Sequence, residues 1–365
     1  MLKQELLYQI ALTLIPGIGD MNGKKLVAHC GSPEAIFRTK KEKLAKIPGI
    51  GPKTISAITS SKTLHRAEKE ITFIDKFHIQ TFFYTEPDYP SRLLHCEDAP
   101  LLLYYKGNIA LNHPRIVAIV GTRRATNYGK LRCEEMVEGL KDLGVLVVSG
   151  LAYGIDSIAH RTAIKADMPT IGVVAHGLDS LYPSQNRKLA ESMLDQGGIL
   201  TEFVSGTKPD RENFPKRNRI VAGMSDAIIV IESDRKGGAL ITAELGNSYN
   251  RDVFAIPGRV DDDMSRGTNF FIKTNRAALA EGPEDIAYIM GWDNQPVQPK
   301  AQPELFVALT DDEENMLALI REKGEITIDK LVYESGLPAS KVAATLLKLE
   351  FEGLVQNLPG KRYKA

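Results

Sequence analysis

RIVAIVGTRRATNYG, residues 115–129, is the stretch from which the fold of this chain is read. Its opening run, Ile116 to Val120, is apolar and rich in β-branched residues, fits neither a period of two nor one of 3.6, and ends on a glycine. That combination predicts a strand buried on both faces. The turn Gly121-Thr122-Arg123-Arg124 follows at once, and Leu131, Met136, Val137 and Leu140 then recur at roughly helical spacing up to Gly144. Strand, glycine turn and helix make one unit of a parallel α/β sheet. In such a unit the turn lies at the carboxyl end of the strand, where free N–H groups at the helix start favour an anion, and Arg123 there reads as a phosphate clamp. Taken alone, the turn reads more simply as a tight bend with Arg123 and Arg124 in water, because short motifs carry a high false-positive rate.

Working outward, the same alternation continues for about 170 residues. Strands are expected at 116–120, 145–149, 170–174, 199–203, 227–232 and 252–256, with helices near 128–143, 155–166, 186–196, 215–224, 238–250 and 269–280. This predicts an α/β fold, an extended Rossmann-like doubly wound parallel sheet, whose right-handed crossovers bring the carboxyl ends of the strands to one edge. The turns at that edge hold Gly121-Thr122-Arg123, Ser149-Gly150 with Gly154, His176-Gly177, Thr201-Glu202, Gly237-Gly238-Ala239 and Pro257-Gly258. Glycines at so many turns predict a groove in which a ligand approaches the backbone. Between the fourth strand and the next helix, Arg211, Phe214, Lys216, Arg217, Asn218 and Arg219 gather cations around an aromatic ring. That is the composition of a single-strand platform, in which arginines hold phosphates and the ring stacks on a base. The plainer possibility is that Phe214 packs under the loop and the arginines pair with Glu202 or Asp226.

The flanks differ in character. Residues 1–70 carry twelve Lys/Arg against six Asp/Glu and repeat Ile-Pro-Gly-Ile-Gly at 15–19 and 47–51. Each copy precedes a basic helical stretch, as in a helix-hairpin-helix motif within a SAM-like helical domain. Lys24, Lys25 and Lys53 are then candidates for DNA backbone contact, although the same turn also serves to join two packed helices. Residues 71–112 read as a β-type element leading into the main domain, which spans 71–290. Residues 291–308 are proline- and glutamine-rich and read as a linker. Residues 309–365, with eight Lys/Arg against ten Asp/Glu, follow the order of a winged helix-turn-helix. Its second helix, 340–352, offers only Lys341 and Lys348, which points to a protein-interaction or regulatory module and not a DNA reader.

The whole chain of 365 residues has equal numbers of acidic and basic residues, 46 of each, so nucleic acid must be met by local clusters. Cys30, Cys96 and Cys133 are too few and too scattered for a disulfide framework or a zinc site, and no metal is expected. There is no Walker loop, H-E-x-x-H, G-x-S-x-G or H-x-E with a Cys pair, and Gly121 does not open a G-x-G-x-x-G motif, so neither an ATPase nor a nicotinamide enzyme is expected and no cofactor is called for. Asp156 and His160, at i and i+4, read as a capping or packing pair. No stretch approaches the length of a membrane span, and the start lacks the form of a signal peptide, so a cytoplasmic protein without membrane attachment is expected.

VGTRRATNYG, SGLAYGIDSIAH, GLDSLYPSQNRKLA, TEFVSG, FPKRNRIVAGMSDAIIVIES and GGALITAELGNSYNRDVFAIPG together closely resemble the DprA (Smf) family of bacterial DNA-processing proteins over about 115–280. The resemblance implies a non-enzymatic protein that binds single-stranded DNA, forms a homodimer, and loads the RecA recombinase during natural transformation. It places the family's Gly-Ser-Arg turn on Gly121, Thr122 and Arg123 and its basic stretch on Phe214, Arg217, Asn218 and Arg219; from the turns and the basic cluster themselves, Arg124, Ser149, Gly150, Gly154, Arg211, Gly237 and Gly238 are expected to join them in DNA contact. Thr122 stands where the family has serine, and His176 departs from the expected glycine-rich turn. Two other readings stay open. Gly237 to Glu244 is similar to the GG-x-G-T-x-x-E loop of LOG-type nucleotide phosphoribohydrolases, with Leu240-Ile241 in place of the second Gly-Thr. Alternatively, the N-terminal hairpins alone bind DNA, as duplex.

Overall fold

The structure is a computed structural model that describes residues 2–58, 61–292, 309–351, 354–358 and 362–364. The expected linker, from residue 293 on, and Glu352 at the end of the last expected helix lie outside the described residues.

The N-terminal repeat forms two hairpins. α1 (Leu2–Thr13) and α2 (Asp20–Cys30) flank the first Ile-Pro-Gly-Ile-Gly. α3 (Pro33–Arg38) follows, with Ser32 accepting from the Ala35 N–H as its N-cap, and α4 (Lys41–Leu44) and α5 (Pro52–Ile58) flank the second. Gly17 and Gly49 have φ of +81° and +87°, a left-handed bend that a side chain disfavours. Ile15, Ile47, Ile50, Ile55 and Ile58 are buried between the hairpins. α6 (Ser61–Phe77) runs straight across residue 70, where a domain boundary was expected, and the helical core is continuous with Phe83, Leu102 and Tyr104 of the first two strands. Helices and sheet thus share one compact unit.

The sheet has nine strands. β1 (Gln80–Phe83), then α7 (Ser91–Leu94) and β2 (Leu102–Gly107), make an antiparallel edge. β3 (Ile116–Val120), β4 (Leu146–Ser149), β5 (Thr170–Val173), β6 (Gly197–Thr201), β7 (Ala227–Val230), β8 (Asp252–Ala255) and β9 (Ala278–Leu279) run parallel to one another. The order is β1-β2-β6-β5-β4-β3-β7-β8-β9, so the winding reverses between β3 and β7. Ile116, Ala118 and Val120 of β3 enter the core on one face, and Val117 and Ile119 the core on the other.

α8 (Asn127–Gly139), α9 (Ile155–Lys165), α10 (Arg187–Met193), α11 (Asn213–Met224), α12 (Gly238–Ser248), α13 (Arg266–Lys273) and α14 (Pro283–Ile289) cover the two faces. The helix expected at 269–280 instead ends at Lys273, and residues 278–279 pair with β8. Asn275, in the left-handed region at φ +54°, marks the turn between them.

The C-terminal unit is a winged helix of α15 (Asp311–Lys323), β10 (Ile326–Thr327), α16 (Ile328–Ser335), α17 (Ala339–Phe351), β11 (Gln356–Leu358) and β12 (Arg362–Lys364). Thr310 and Glu313 cap α15 reciprocally. Met316, Ile320, Leu331, Val342, Leu346 and Leu349 form its core. Lys341 and Lys348 on α17 pair with Asp312 and Glu313 of α15, so internal ion pairs already engage both lysines of the helix that would enter a DNA groove.

Candidate functional site

The turn after β3 lies at the carboxyl edge of the sheet, beside the point where the winding reverses. In open α/β sheets that crevice is the usual ligand position. Here the protein's own carboxylate fills it. Glu232, just beyond β7 and fully buried, accepts from the Thr126 N–H at 3.0 Å and from the Thr126 hydroxyl at 2.6 Å, and its backbone oxygen takes the Thr122 N–H at 2.7 Å. Thr126 in turn caps α8 through the Gly129 N–H. The anion expected at the start of this helix is therefore a glutamate, and a side chain at Gly129 would run into it. Nothing in residues 115–129 announces this plug, because it comes from a strand more than 100 residues later.

The edge is open on the opposite face of the sheet. A groove of about 680 Å³ is lined by Gly121, Thr122 and Arg123 after β3, Gly150 after β4, Arg211 and the start of α11, and Gly237, Gly238 and Thr242 at the start of α12. The helix expected near 215–224 begins at Asn213, so all of the basic stretch except Arg211 and Glu212 lies in the first turns of α11. Helical periodicity sorts its residues: Phe214, Arg217, Asn218 and Val221, spaced i, i+3, i+4, i+7, line this groove, whereas Lys216 and Arg219 turn to the far side.

Arg123 is exposed and lies over the Phe214 ring, its guanidinium carbon 5.1 Å from the ring centre, with no ion pair among the described residues. Tyr182, exposed and set edge-on to Phe214 at 6.2 Å, adds a second ring that sequence reasoning missed. Its only signal was an aromatic residue beside a proline in the turn region after the third parallel strand. Gly238 is exposed, and a Cβ there would meet nothing within 4 Å, so internal packing does not demand glycine at this point. The cap of α12, Gly237, supplies no side-chain hydrogen bond, which leaves its first turn facing the groove.

Several expected contacts are taken up internally. Ser149 is fully buried and donates to the Ile119 carbonyl at 2.6 Å. Gly121 and Gly150 owe their lack of a side chain to Ile155 and Arg217, which occupy the space a Cβ would need, and Gly154, at φ +74°, lies against the Thr122 carbonyl. Arg217 is buried; it donates to the Gly150 and Val173 carbonyls, and its Nε donates to Asn218 Oδ1 at 3.1 Å. It holds the groove floor together and shows the groove little charge. Burial raises the pKa of neighbouring Asp156, and Arg217 opposes that rise. Arg124 turns away from the groove, into a trough between α8 and α9.

Arg219 leaves the site altogether. It is buried, pairs with Glu202, and reaches Asp20 of α2 at 3.0 Å. Lys24, expected on the DNA side, is half-buried and donates to the Glu97 carbonyl at 3.1 Å, and burial lowers its pKa. Lys25 and Lys53 remain exposed.

His160 is buried, its Nδ1 2.7 Å from the Thr170 hydroxyl, and burial holds its pKa down to about 3, so it is neutral. Asp156 Oδ2 accepts from the Ala152 N–H at the start of α9, while His160, one turn on, packs against β5. Burial pushes the Glu202 carboxyl up to about 7, against the pull of Arg219. The folded state therefore holds a proton that the unfolded chain releases near 4.5. Stability contributed by this group should fall as pH rises from about 4.5 to about 7 and level off above. Urea titrations of Glu202→Gln across that range should show this slope removed.

Among the described residues, no group of three or more His, Cys, Asp or Glu could hold a metal, and no helix is long and apolar enough to cross a membrane. Glu244, the counterpart of the phosphoribohydrolase glutamate, is exposed and pairs with Arg276 away from the groove.

Residues 80–291 match the sequence family described as DNA recombination-mediator protein A, residues 298–361 the DprA winged helix domain, and residues 10–61 the SAM-like helix-hairpin-helix tandem. Protein Smf of Synechocystis sp. is 32% identical over 402 residues and is covered in full, as is this chain. The crystal structure of DNA processing protein A from Streptococcus pneumoniae superimposes with a TM-score of 0.66 at 31% identity, covering 77% of this chain and 97% of that one. A DNA processing protein A from Helicobacter pylori, studied for its single-stranded DNA binding mode, superimposes with a TM-score of 0.54 at 30% identity, covering 60% of this chain and 98% of that one.

Proposed function

The chain belongs to the DprA/Smf family, and from that membership we propose that it acts in DNA processing during transformation by binding single-stranded DNA along the groove beside β3, without bond-making chemistry. The observation that carries the reading is the Arg123–Phe214 pair: a cation without a carboxylate partner among the described residues, stacked on a ring at the wall of an open groove. A guanidinium in that position meets a phosphate while the ring face offers itself to a base, a combination tolerant of any sequence. The nearby crevice that would suit a single nucleotide is filled by Glu232, which favours a strand over a cofactor and disfavours the phosphoribohydrolase reading.

Titration with labelled oligo-dT at two salt concentrations tests this. Affinity should fall steeply with salt, as each phosphate contact to a single strand adds about 0.7 to the slope of log K against log salt. Incubation with AMP should release no adenine. Equal or tighter binding of duplex would instead favour DNA contact through the helical hairpins, where Lys25 and Lys53 are exposed. Delivery of the strand to RecA rests on family membership; it predicts faster RecA assembly on single strands in the presence of this protein. A homodimer is supported by exposed Leu279, Tyr288 and Ile289 around the short edge strand β9, and mass measurement in solution reads it directly.

A further inference from the structure

The Arg123 ridge has a second groove on its other side. A trough of about 920 Å³ runs between α8 and α9; Arg123 lines both it and the groove, and Gly154, which also lines the trough, lies against the backbone of Thr122 and Arg123. Arg124, Lys130, Arg161 and Lys165 point into it, against Glu134 and Glu138. Lys165 stands 3.8 Å from Glu138. Arg124, Lys130 and Arg161 are exposed and have no ion pair among the described residues; Arg161 donates only to the Ser157 hydroxyl, at 3.1 Å. Tyr153, 40% exposed, stands at the junction, lining both the trough and the small cleft that holds Tyr182 and Phe214.

We propose that this trough is a second subsite for the sugar-phosphate backbone of the same strand, which crosses the Arg123–Tyr153 ridge on leaving the groove. The inference rests on the single-strand reading of the groove and extends it. Three unpaired cations along one depression, continuous with an aromatic-walled groove, suit a polyanion that tracks across both. The trough wall offers no further ring beyond Tyr153, so it holds phosphates without holding bases. Arg124, adjacent in sequence to Arg123, therefore serves the next stretch of strand and not the same phosphate.

The test compares two lengths of oligo-dT, about six and about twenty nucleotides, on the full chain. The triple variant R124A/K130A/R161A changes only exposed side chains, and an unchanged melting temperature checks that it folds. The longer oligomer should bind the variant more weakly, with the slope of log K against log salt reduced by about 2 for three lost contacts. The short one, confined to the groove, should bind as to the unaltered chain. An unchanged slope for the long oligomer overturns the proposal and leaves the trough to another partner, such as an acidic protein surface. Equal weakening at both lengths overturns it too, since the cations would then act only as a general field. Full affinity of Arg123→Ala for the short oligomer would instead count against the groove itself.

Discussion

Replacing Arg219 with alanine is expected to destabilise the unit formed by the helical hairpins and the sheet by about 3–5 kcal/mol, while leaving oligo-dT affinity of the folded protein unchanged. Arg219 is the only cation that the described structure pairs with both Glu202, at the end of β6, and Asp20, at the start of α2. Asp20 also accepts from the Leu101 N–H at 2.9 Å, so one cluster ties the first hairpin to the sheet. Burial lowers the pKa of the guanidinium, but Glu202 and Asp20 outweigh that and raise it. Once the arginine is gone, Glu202 must either stay charged in a dry site or take a proton, and taking a proton costs more as pH rises. The loss should accordingly be larger at pH 8 than at pH 6. Chemical denaturation at both pH values reads it. A DNA-binding defect in a fully stable variant would show that Arg219 belongs to the groove after all.

That result separates what residues 211–219 say in sequence from what they do in space. Their composition is that expected of a nucleic-acid surface, and Phe214, Arg211 and Asn218 line the groove. Read by composition as one cluster, however, the stretch gave no means of telling Arg217 and Arg219 from Arg211. Read as a helix, the spacing from Phe214 already puts Arg219 on the opposite face.

The parallel sheet was legible because β3 is apolar on both faces and the strands alternate with helices at regular intervals. Its antiparallel edge was seen only as a β-type element, since β1 and β2 carry no hairpin turn between them. The plugged crevice was invisible for a different reason. Glu232 reaches Thr126 only because β7 pairs with β3, and that pairing is a property of the topology. Likewise, the glycines at 121, 150 and 154 were read as openings for a ligand, whereas Ile155, Arg217 and the Thr122 carbonyl account for them. Of the glycines in these turns, only Gly238 has open space where a Cβ would stand.

The other large effect concerns the ring and the cation at the groove wall. Alanine at Phe214 removes a stacking face worth about 1–3 kcal/mol per base, roughly a 5- to 150-fold loss of affinity. Alanine at Arg123 removes a charge-assisted contact of similar size, about 1.5–3 kcal/mol. Because the two side chains touch, the double variant should lose less than the sum of the single losses. Arg123 is the sharper probe: it is exposed and without an ion pair among the described residues, so its removal leaves no buried charge behind and should not move the melting temperature. A gel-shift titration of Arg123→Ala against oligo-dT, beside the unaltered chain, is therefore the most direct test of whether a single strand lies in this groove. Affinity reduced by about tenfold or more with unchanged stability is the predicted result; affinity equal to that of the unaltered chain would contradict it.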